Sequence, residues 1–263
     1  MSQTNVAVIT GASSGIGAAY AERLAAEGYD LLLVARRADR LQDLAGRLAD
    51  THGVSAETLV ADLEDASDLA ALAARLETDP VAVLINNAGA GALGPTAIKG
   101  ADAQESLIRL NIVALTRLSI AALAGFRKTG IGTLVNIASV IAFAPSAAGA
   151  TYSGSKAFVL NFTRSLQLEY EKTDIRIQAV LPGPIRTEFF TAQGLDDSVF
   201  PASAYIGPDA LVEAALAGLA SGEKVTVPTL VDAGIWDAIE KERARFLAEV
   251  VGGRVAERYT PVA

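Results

Sequence analysis

The sequence predicts an α/β protein built on a doubly wound parallel sheet. Short aliphatic runs alternate with longer amphipathic stretches, and no repeat or low-complexity tract interrupts this order. Several of the short runs are apolar at every position, as in Leu31-Leu32-Leu33-Val34. Such a run suits a parallel strand that helices cover on both faces. The repeated strand–helix order then gives right-handed crossovers and one sheet.

Each element follows from this alternation. The strands are predicted at Val6–Thr10, Leu31–Ala35, Glu57–Ala61, Val81–Asn86, Thr133–Ala138, Arg176–Leu181 and Lys224–Val227. The helices between them are predicted near 16–28, 38–51, 66–77, 102–127, 152–171 and 208–221. Because no linker separates these elements, residues 1–263 are interpreted as a single domain.

Two regions depart from the alternation. Residues 187–207 combine aromatic residues with Gly, Ser, Asp and Pro, which is typical of a lid or substrate loop. Residues 229–263 are interpreted as a C-terminal helix and tail, with the helix over 231–250 serving in packing or subunit contact.

Composition excludes many classes of function. The 263 residues include no cysteine and one histidine, which excludes disulfides, thiolate catalysis and the usual zinc sites, so no metal is expected. His52 is expected in a surface loop. A net charge of -8 argues against nucleic acid. The N-terminal residues lack a basic leader, and glycines and a proline break the uncharged stretch 129–155. We therefore expect a cytoplasmic protein without a membrane partner.

A glycine-rich turn follows the first strand. Between Thr10 and Gly17 the chain reads Thr-Gly-Ala-Ser-Ser-Gly-Ile-Gly. Gly11 permits a tight turn, Gly15 lets the backbone approach a diphosphate, and Gly17 lets the helix pack closely on the strand. The amides at the helix N-terminus would face the phosphates. Taken alone, the triplet is also compatible with an ordinary strand-to-helix turn.

A tyrosine and a lysine stand four residues apart in a predicted helix. Tyr152 and Lys156 therefore share a face of that helix. An adjacent ammonium is expected to lower the pKa of the phenol from about 10, which suits proton transfer near neutral pH. Ser139 ends the fifth strand, where ligand crevices open in α/β sheets. Without further context, a surface pair and a turn serine explain the same residues.

Taken in order, these motifs resemble the short-chain dehydrogenase/reductase family of the Tyr-x-x-x-Lys type. The resemblance runs from about Asn5 to Val227 and is carried by Thr10–Gly17, Asp62, Asn86-Asn87-Ala88-Gly89, Asn111, Ser139, Tyr152-x-x-x-Lys156 and Pro182–Thr187. It implies a single Rossmann domain with a seven-stranded parallel sheet. It also implies a homo-oligomeric oxidoreductase, a dimer or a tetramer. Many relatives end in an Asp-Gly-Gly turn that helps to build the tetramer, whereas here Val225-Thr226-Val227-Pro228 leads to a helix.

The resemblance assigns roles to individual residues. Tyr152 becomes the acid/base, Lys156 its electrostatic partner and a ribose ligand, and Ser139 the donor to the substrate oxygen. Asn111 supports a proton relay by holding a water between Lys156 and solvent. The implied cofactor contacts are Gly11, Ser13, Ser14, Gly15, Ile16 and Gly17 in the turn, Asp62 and Leu63 at the adenine, Asn87, Ala88 and Gly89 under the ribose, and Pro182, Gly183, Ile185 and Thr187 beside the nicotinamide.

Two of these assignments have equally simple structural explanations. Taken alone, Asp62 would cap the helix that follows it. The motif from Asn86 to Gly89 is explained as well by stabilisation of the sheet as by direct contact with a cofactor.

Two arginines at the end of the second strand predict NADP(H) as the cofactor. Arg36 stands where an NAD-selective site carries a carboxylate, and Arg37 is the next residue. Guanidinium groups suit a 2′-phosphate, to which Ser13 and Ser14 would add hydroxyl donors. The alternative is a solvated helix start, because the charges continue to Arg40 and beyond.

Apolar side chains accompany the predicted catalytic residues. The expected substrate contacts are Ser139, Tyr152, Ile141, Phe143, Phe189 and Phe190. Such walls favour a hydrophobic carbonyl compound, unless these side chains simply fill the core. The sequence therefore predicts interconversion of a carbonyl and a secondary alcohol. The alternatives are reduction of an acyl-carrier-bound ketone or a carbon–carbon double bond, and a dinucleotide-sensing regulator without catalysis.

Overall fold

A seven-stranded parallel sheet forms the centre of the computed structural model, which describes residues 5–259. Its strand order is β3-β2-β1-β4-β5-β6-β7. The strands are β1 Val6–Thr10, β2 Asp30–Ala35, β3 Ala56–Val60, β4 Val81–Asn86, β5 Ile131–Ile137, β6 Asp174–Val180 and β7 Val225–Thr226. The predicted strands all exist, with ends displaced by at most two residues, and the doubly wound sheet is confirmed.

Eight α-helices occur within the described residues. They are α1 Gly15–Ala26, α2 Ala38–His52, α3 Ala66–Thr78, α4 Thr96–Ile108, α5 Leu115–Thr129, α6 Ala150–Glu169, α7 Pro208–Ala220 and α8 Gly234–Val250. His52 is the last residue of α2 and pairs with Glu22 through Nε2 and Oε1 at 2.6 Å, so the surface-loop prediction for this histidine was wrong.

Helices cover the sheet on both faces. Ala7 and Ile9 of β1 belong to the apolar core formed with α1, α2 and α7, whereas Val8 belongs to the core formed with α3 and α5. This alternation is the period of two that a strand imposes on its side chains. Because both faces are buried, β1 and β2 are apolar at nearly every position, which is the pattern that the sequence shows.

The strand order reverses between β1 and β4, and this reversal positions the site. Successive strands run outward from β1 to β3 on one side and from β4 to β7 on the other. The loops after β1 and β4 therefore diverge and leave a crevice at the carboxyl end of the sheet. The glycine turn follows β1, Asn87 follows β4, and Ser139 comes soon after β5.

The helix predicted over 102–127 is longer and more irregular than expected. It extends from Thr96 to Thr129 as α4, a π-helical segment Arg109–Ala114 and α5, with a non-helical Gly100 inside α4. By length and composition alone, this is the stretch among the described residues that could cross a membrane. Half of its most apolar window is buried inside the fold, and α5 packs on α3, β4 and β5.

The chain divides into two compact units between Pro228 and Thr229. This is the position at which the C-terminal region is predicted to begin. The second unit contains α8, which begins at Gly234 rather than at residue 231, and none of whose residues is buried. The interpretation of the whole chain as one domain stays a prediction.

Candidate active site

The structure brings Ser139, Tyr152 and Lys156 together at the carboxyl end of β5. Ser139 lies two residues beyond β5, and both other residues lie in the first turns of α6. The Ser139 side chain acts on the Tyr152 phenol, whose pKa it lowers. Lys156 Nζ lies 5.9 Å from the centre of the Tyr152 ring and donates to the Ile137 carbonyl at 2.9 Å. The segment that follows β5 and the first turns of α6 thus bring the three residues together.

Burial shifts the pKa values of Tyr152 and Lys156. It raises the pKa of Tyr152 to about 12, and the Ser139 side chain opposes that rise. It lowers the pKa of Lys156 to about 8. The expectation that Lys156 lowers the pKa of the phenol below its ordinary value was therefore wrong for this structure. The reason is that desolvation disfavours both charged forms and that the ammonium donates to a backbone carbonyl. At neutral pH the phenol is protonated and the lysine is charged.

Asn111 lies in the π-helical segment and holds the loop after β4. Its Oδ1 accepts from the Ala90 amide and its Nδ2 donates to the Ala90 carbonyl, both at 2.9 Å. Nδ2 also donates to the Ser155 hydroxyl, beside Lys156 on α6. A Cβ on Gly89 would lie 3.3 Å from Asn111 Oδ1 and 3.8 Å from Lys156 Nζ. Asn111 and Lys156 therefore face the same glycine, and the proton relay between them stays a prediction.

Within the Asn-Asn-Ala-Gly motif, Asn86 bonds to the core of the sheet, whereas Asn87 and Ala88 bond to the start of the glycine turn. Asn86 donates to Asn136 Oδ1 and Ser119 Oγ, both at 3.0 Å, in a buried network below the crevice. Asn87 Nδ2 donates to the Thr10 carbonyl at 2.9 Å, and the Asn87 and Ala88 amides both donate to the Thr10 hydroxyl. The motif therefore joins β4 to the start of the glycine turn, which supports the structural explanation for Asn86.

The glycines of the turn are required by close approach and by backbone conformation. A Cβ on Gly17 would lie 2.3 Å from the Gly11 carbonyl oxygen and 2.6 Å from Asn87 Nδ2. Gly11 and Gly15 have φ angles of 67° and 55°. Ser14 is the N-cap of α1 but makes no side-chain capping bond, and the first helical turn carries no acidic residue. This arrangement fits a phosphate group, because backbone amides and the positive end of the helix dipole face it and the first helical turn itself adds no negative charge.

Arg37 and the two serines of the turn form one hydrogen-bonded cluster. Arg37 donates to Ser13 Oγ from Nε at 3.1 Å and from Nη2 at 2.9 Å, and to Ser14 Oγ from Nη2 at 2.6 Å. Arg37 also donates to Glu188 at 2.8 Å, as does Arg40. The structure thus brings together three of the four predicted phosphate ligands. Arg36 is exposed and takes no part in the hydrogen bonds recorded for this cluster.

The remaining predicted nucleotide contacts lie at the ends of β3 and β6. Asp62 is half-buried and accepts from the Glu64 amide, whereas Asp65 is the N-cap of α3 and accepts from Ser67 and Asp68. The capping explanation for Asp62 was therefore wrong. Leu63 beside it is buried.

The segment Pro182–Thr187 connects the catalytic residues to the glycine turn. The Pro182 carbonyl accepts from the Ser139 hydroxyl at 3.3 Å. At the other end, a Cβ on Gly15 would lie 3.0 Å from Thr187 Cγ2. Between them Gly183 is half-buried, and buried Ile185 forms an isolated bridge with Ile206.

An aromatic cluster of the lid reaches the catalytic tyrosine. The Phe189 and Tyr152 rings lie 5.4 Å apart. Phe190 is 8% exposed and packs edge-on against Phe189 and Tyr205, so its observed role is to support the lid. Ile141 is half-buried and Phe143 is 41% exposed in the short helix that follows Ser139. Phe189 is therefore the predicted substrate contact from the lid that lies against the catalytic residues.

Three residues at the site were missed by sequence reasoning. Arg40 and Glu188 join the helix start after β2 to the lid. Gln193 donates to the Phe189 carbonyl at 2.8 Å and accepts from the Leu93 amide at 3.0 Å, which ties the lid to the loop after β4. A Cβ on Gly91 would collide with Gln193. Glu188 could have been noticed in the sequence, because it is a charged residue directly after the Pro182–Thr187 motif. No local pattern identifies Gln193.

The fold and the site define a nucleotide-dependent oxidoreductase. A glycine turn at the switch point, an adjacent basic cluster and a Ser–Tyr–Lys triad are what such an enzyme needs for binding a dinucleotide and transferring a proton. The model of the short chain dehydrogenase family matches residues 5–197. The chain therefore belongs to the short chain dehydrogenase family, which confirms the predicted family.

Two solved structures are similar over nearly the whole chain. A short-chain dehydrogenase from Sphingobium yanoikuyae in complex with NADPH is 44% identical, has a TM-score of 0.93, and is matched over 97% of this chain and 99% of its own. The bulky-bulky ketone specific alcohol dehydrogenase from Comamonas testosteroni is 39% identical with a TM-score of 0.90, over 99% and 100% of the two chains. The predicted oxidoreductase class is consistent with both.

A more distant relative has a different named activity. The very-long-chain 3-oxoacyl-CoA reductase of Anas platyrhynchos is 34% identical over 187 residues, or 69% of this chain. The match covers 60% of the length of that reductase.

Proposed function

We propose that this protein is an NADP(H)-dependent enzyme that interconverts a carbonyl and a secondary alcohol on a hydrophobic small molecule. The observation that carries the proposal is the juxtaposition of Ser139, Tyr152 and buried Lys156 in the crevice next to the glycine turn, with Lys156 Nζ 5.9 Å from the Tyr152 ring centre. A regulator that only binds a dinucleotide has no need for a protonated phenol in that position, which argues against a non-catalytic role.

The chain's own residues supply binding and the proton. The glycine turn would hold the diphosphate, Arg37 with Ser13 and Ser14 the 2′-phosphate, and Lys156 a ribose. The nicotinamide supplies or accepts the hydride when bound. Ser139 and Tyr152 donate hydrogen bonds to the substrate oxygen. In the reductive direction the Tyr152 proton passes to that oxygen, and the charged Lys156 stabilises the phenolate that remains.

The use of NADP(H) is supported by charge and by similarity. Arg37 has two hydroxyl groups within hydrogen-bonding distance, and the two residues that follow the end of β2 are both arginines. The Sphingobium enzyme, at 44% identity, was solved with NADPH.

The proposed substrate is a ketone with bulky apolar substituents. Phe189 lies against Tyr152, and Ile141 and Phe143 follow Ser139. The specificity of the Comamonas enzyme for bulky-bulky ketones supports this class. The second candidate is a 3-oxoacyl thioester, because the Anas reductase shares one third of its residues over the matched region.

A substrate panel separates these candidates. Purified protein is incubated with NADPH and bulky aryl ketones, 3-oxoacyl thioesters or free sugars, and the absorbance of the reduced nicotinamide is followed. We expect the highest kcat/KM for bulky ketones, and the same panel with Tyr152→Phe serves as the control. A preference for thioesters would favour the second candidate, and a preference for sugars would refute the apolar pocket.

We also propose a homo-oligomer formed through α5 and α6. Both helices expose large apolar side chains, with Ile120 57% and Leu168 72% exposed. Burial of such side chains in a subunit contact would be favourable. Sedimentation analysis of wild type and of Ile120→Glu tests this, because the variant should dissociate. The cytoplasmic location stays a prediction.

A further inference from the structure

A carboxylate of the lid lies on the two arginines beside the glycine turn. Glu188 Oε2 accepts from Arg37 Nη1 at 2.8 Å, and Arg40 Nη1 contacts both carboxylate oxygens at 2.8 and 2.9 Å. The three side chains are each about half exposed. Hydrogen bonds with the two arginines hold the pKa of Glu188 below its usual value, so this carboxylate is charged at neutral pH.

The same arginine carries the donors that suit a phosphate. While Arg37 Nη1 is bonded to Glu188, its Nε and Nη2 are bonded to the hydroxyls of Ser13 and Ser14. The carboxylate therefore occupies one of the positions on the guanidinium that a dianionic phosphate would use. The Glu188 carboxylate and a 2′-phosphate would both accept hydrogen bonds from the Arg37 guanidinium. Because both are anions, they would repel each other if they were bound there together.

We infer that Glu188 is an internal competitor for the 2′-phosphate site and thereby determines how strongly the enzyme prefers NADP(H). This inference rests on the proposed use of NADP(H). When a 2′-phosphate enters, it takes Arg37 from Glu188, and the carboxylate stays with Arg40 or turns to solvent. A dinucleotide without that phosphate leaves the Glu188–Arg37 pair intact. Glu188 therefore weakens the binding of phosphorylated nucleotides selectively.

The competition also connects the nucleotide to the lid. Glu188 is directly followed by Phe189, whose ring lies against Tyr152, and the Glu188 carbonyl accepts from the Ala192 amide. Loss of the Glu188–Arg37 pair removes at least one of the two ion pairs that join this end of the lid to the start of α2. The anchoring of the lid is thus weaker when a 2′-phosphate is bound.

Two adenosine nucleotides that differ by one phosphate test the inference directly. Adenosine 2′,5′-bisphosphate and adenosine 5′-monophosphate are titrated calorimetrically into wild type, Glu188→Gln and Glu188→Lys at low ionic strength. The full-length protein is used, and no turnover is needed. Glu213→Gln removes the same charge from an exposed position on α7 and is the matched control.

The expected result is a series that follows the charge at residue 188. Glu188→Gln should bind the bisphosphate about three- to tenfold more tightly than wild type, since each exposed ion pair contributes only modestly. Glu188→Lys should bind it more tightly still. The monophosphate should change by less than about twofold in every variant, and added salt should reduce the differences because it screens exposed charges.

Two failures have different meanings. Wild type that binds the bisphosphate no better than the monophosphate would overturn the phosphate site, and with it both the proposed cofactor and the competition. A clear phosphate preference in wild type, together with an unchanged preference in Glu188→Gln, would overturn the competition alone and leave the proposed cofactor intact.

Discussion

Tyr152 is the residue on which the proposed chemistry depends. Tyr152→Phe keeps the ring against Phe189 and removes the hydroxyl that donates the proton. We expect kcat to fall by about 10²- to 10⁴-fold, the usual contribution of a general acid, with NADPH affinity nearly unchanged. Steady-state kinetics and calorimetry check this, and Tyr170→Phe, beyond the end of α6, is the control. A variant that keeps more than about a tenth of the wild-type rate would contradict the assignment.

Arg37 and Arg36 offer a matched pair for cofactor selectivity. Arg37 contacts Ser13 and Ser14, whereas Arg36 is exposed outside that cluster. Arg37→Ala should weaken NADPH binding by about ten- to a hundredfold, because a charged hydrogen bond contributes roughly 1.5–3 kcal/mol. NADH binding should hardly change, and Arg36→Ala should leave both cofactors nearly unaffected. Equal losses of NADPH and NADH in Arg37→Ala would mean that this arginine serves the fold.

Lys156 makes the free energy of unfolding depend on pH in the alkaline range. Its pKa is lowered from 10.5 to about 8 by burial. Between these values the unfolded chain holds the proton that the folded chain has lost, so the free energy of unfolding rises with pH. From pH 8 to 10, Lys156→Met should show a rise that is about 1–3 kcal/mol smaller than that of wild type. Urea unfolding measures the difference, with exposed Lys172→Met as the control, and equal rises would contradict it.

At the residue scale, local patterns were predictable and long-range pairings were not. Ser139, Tyr152, Lys156 and the glycines lie in short motifs, and the structure brings them together as the sequence predicts. Glu188 meets Arg37 across 151 residues of chain, and only the folded lid creates that contact. The predicted direction of the Tyr152 pKa shift was wrong. Burial, which the sequence does not show, raises this pKa, and Lys156 donates its hydrogen bond to the Ile137 carbonyl rather than to the phenol.

At the scale of elements, two helical glycines should respond in opposite ways to the same substitution. Gly17 in α1 has no room for a Cβ beside the Gly11 carbonyl, whereas Gly46 in α2 has no atom within 4 Å of that position. Gly17→Ala should lose nucleotide binding and about 1–3 kcal/mol of stability through overpacking. Gly46→Ala should gain about 0.5–1 kcal/mol from helix propensity. Thermal unfolding and nucleotide titration test both, and equal behaviour would show that the close approach is not real.

The elements were predictable to the extent that their periodicity is regular. Fully apolar runs such as Leu31–Val34 identify buried strands, because both faces of the sheet are covered. The helix around Asn111 was predicted as one regular element, since a π-helical turn keeps an apolar pattern similar to that of its neighbours. The break within α4 has a clearer sequence signal, because it falls at a glycine, Gly100, whose φ is 78°.

At the scale of the whole molecule, the first unit should bind nucleotide without the second. The glycine turn, Arg37 and the catalytic triad all precede Pro228. A chain that ends at Pro228 should fold, as followed by circular dichroism, and should bind adenosine 2′,5′-bisphosphate within about threefold of the full chain, which corresponds to less than 1 kcal/mol. An insoluble product, or one without affinity, would show that residues 229–263 are required for the first unit.

The doubly wound arrangement was predictable because handedness and strand alternation leave few topologies. The position of the division at Pro228 matches the predicted start of the C-terminal region, but its separation into a second compact unit was not predicted, since α8 alternates charged and apolar residues like any surface helix.

The π-helical segment makes the site sensitive to chain length. A π turn accommodates one residue more than an α turn, and successive helical residues differ by about 100° in direction. If one residue were deleted between Asn111 and Leu115, the backbone could close into an ordinary α-helix with α5 unchanged. Asn111 would then turn away from Ala90, and the loop under Gly89 would lose both of its bonds to that side chain. A single-residue deletion after Asn111 should therefore impair the site even though it leaves the helix continuous.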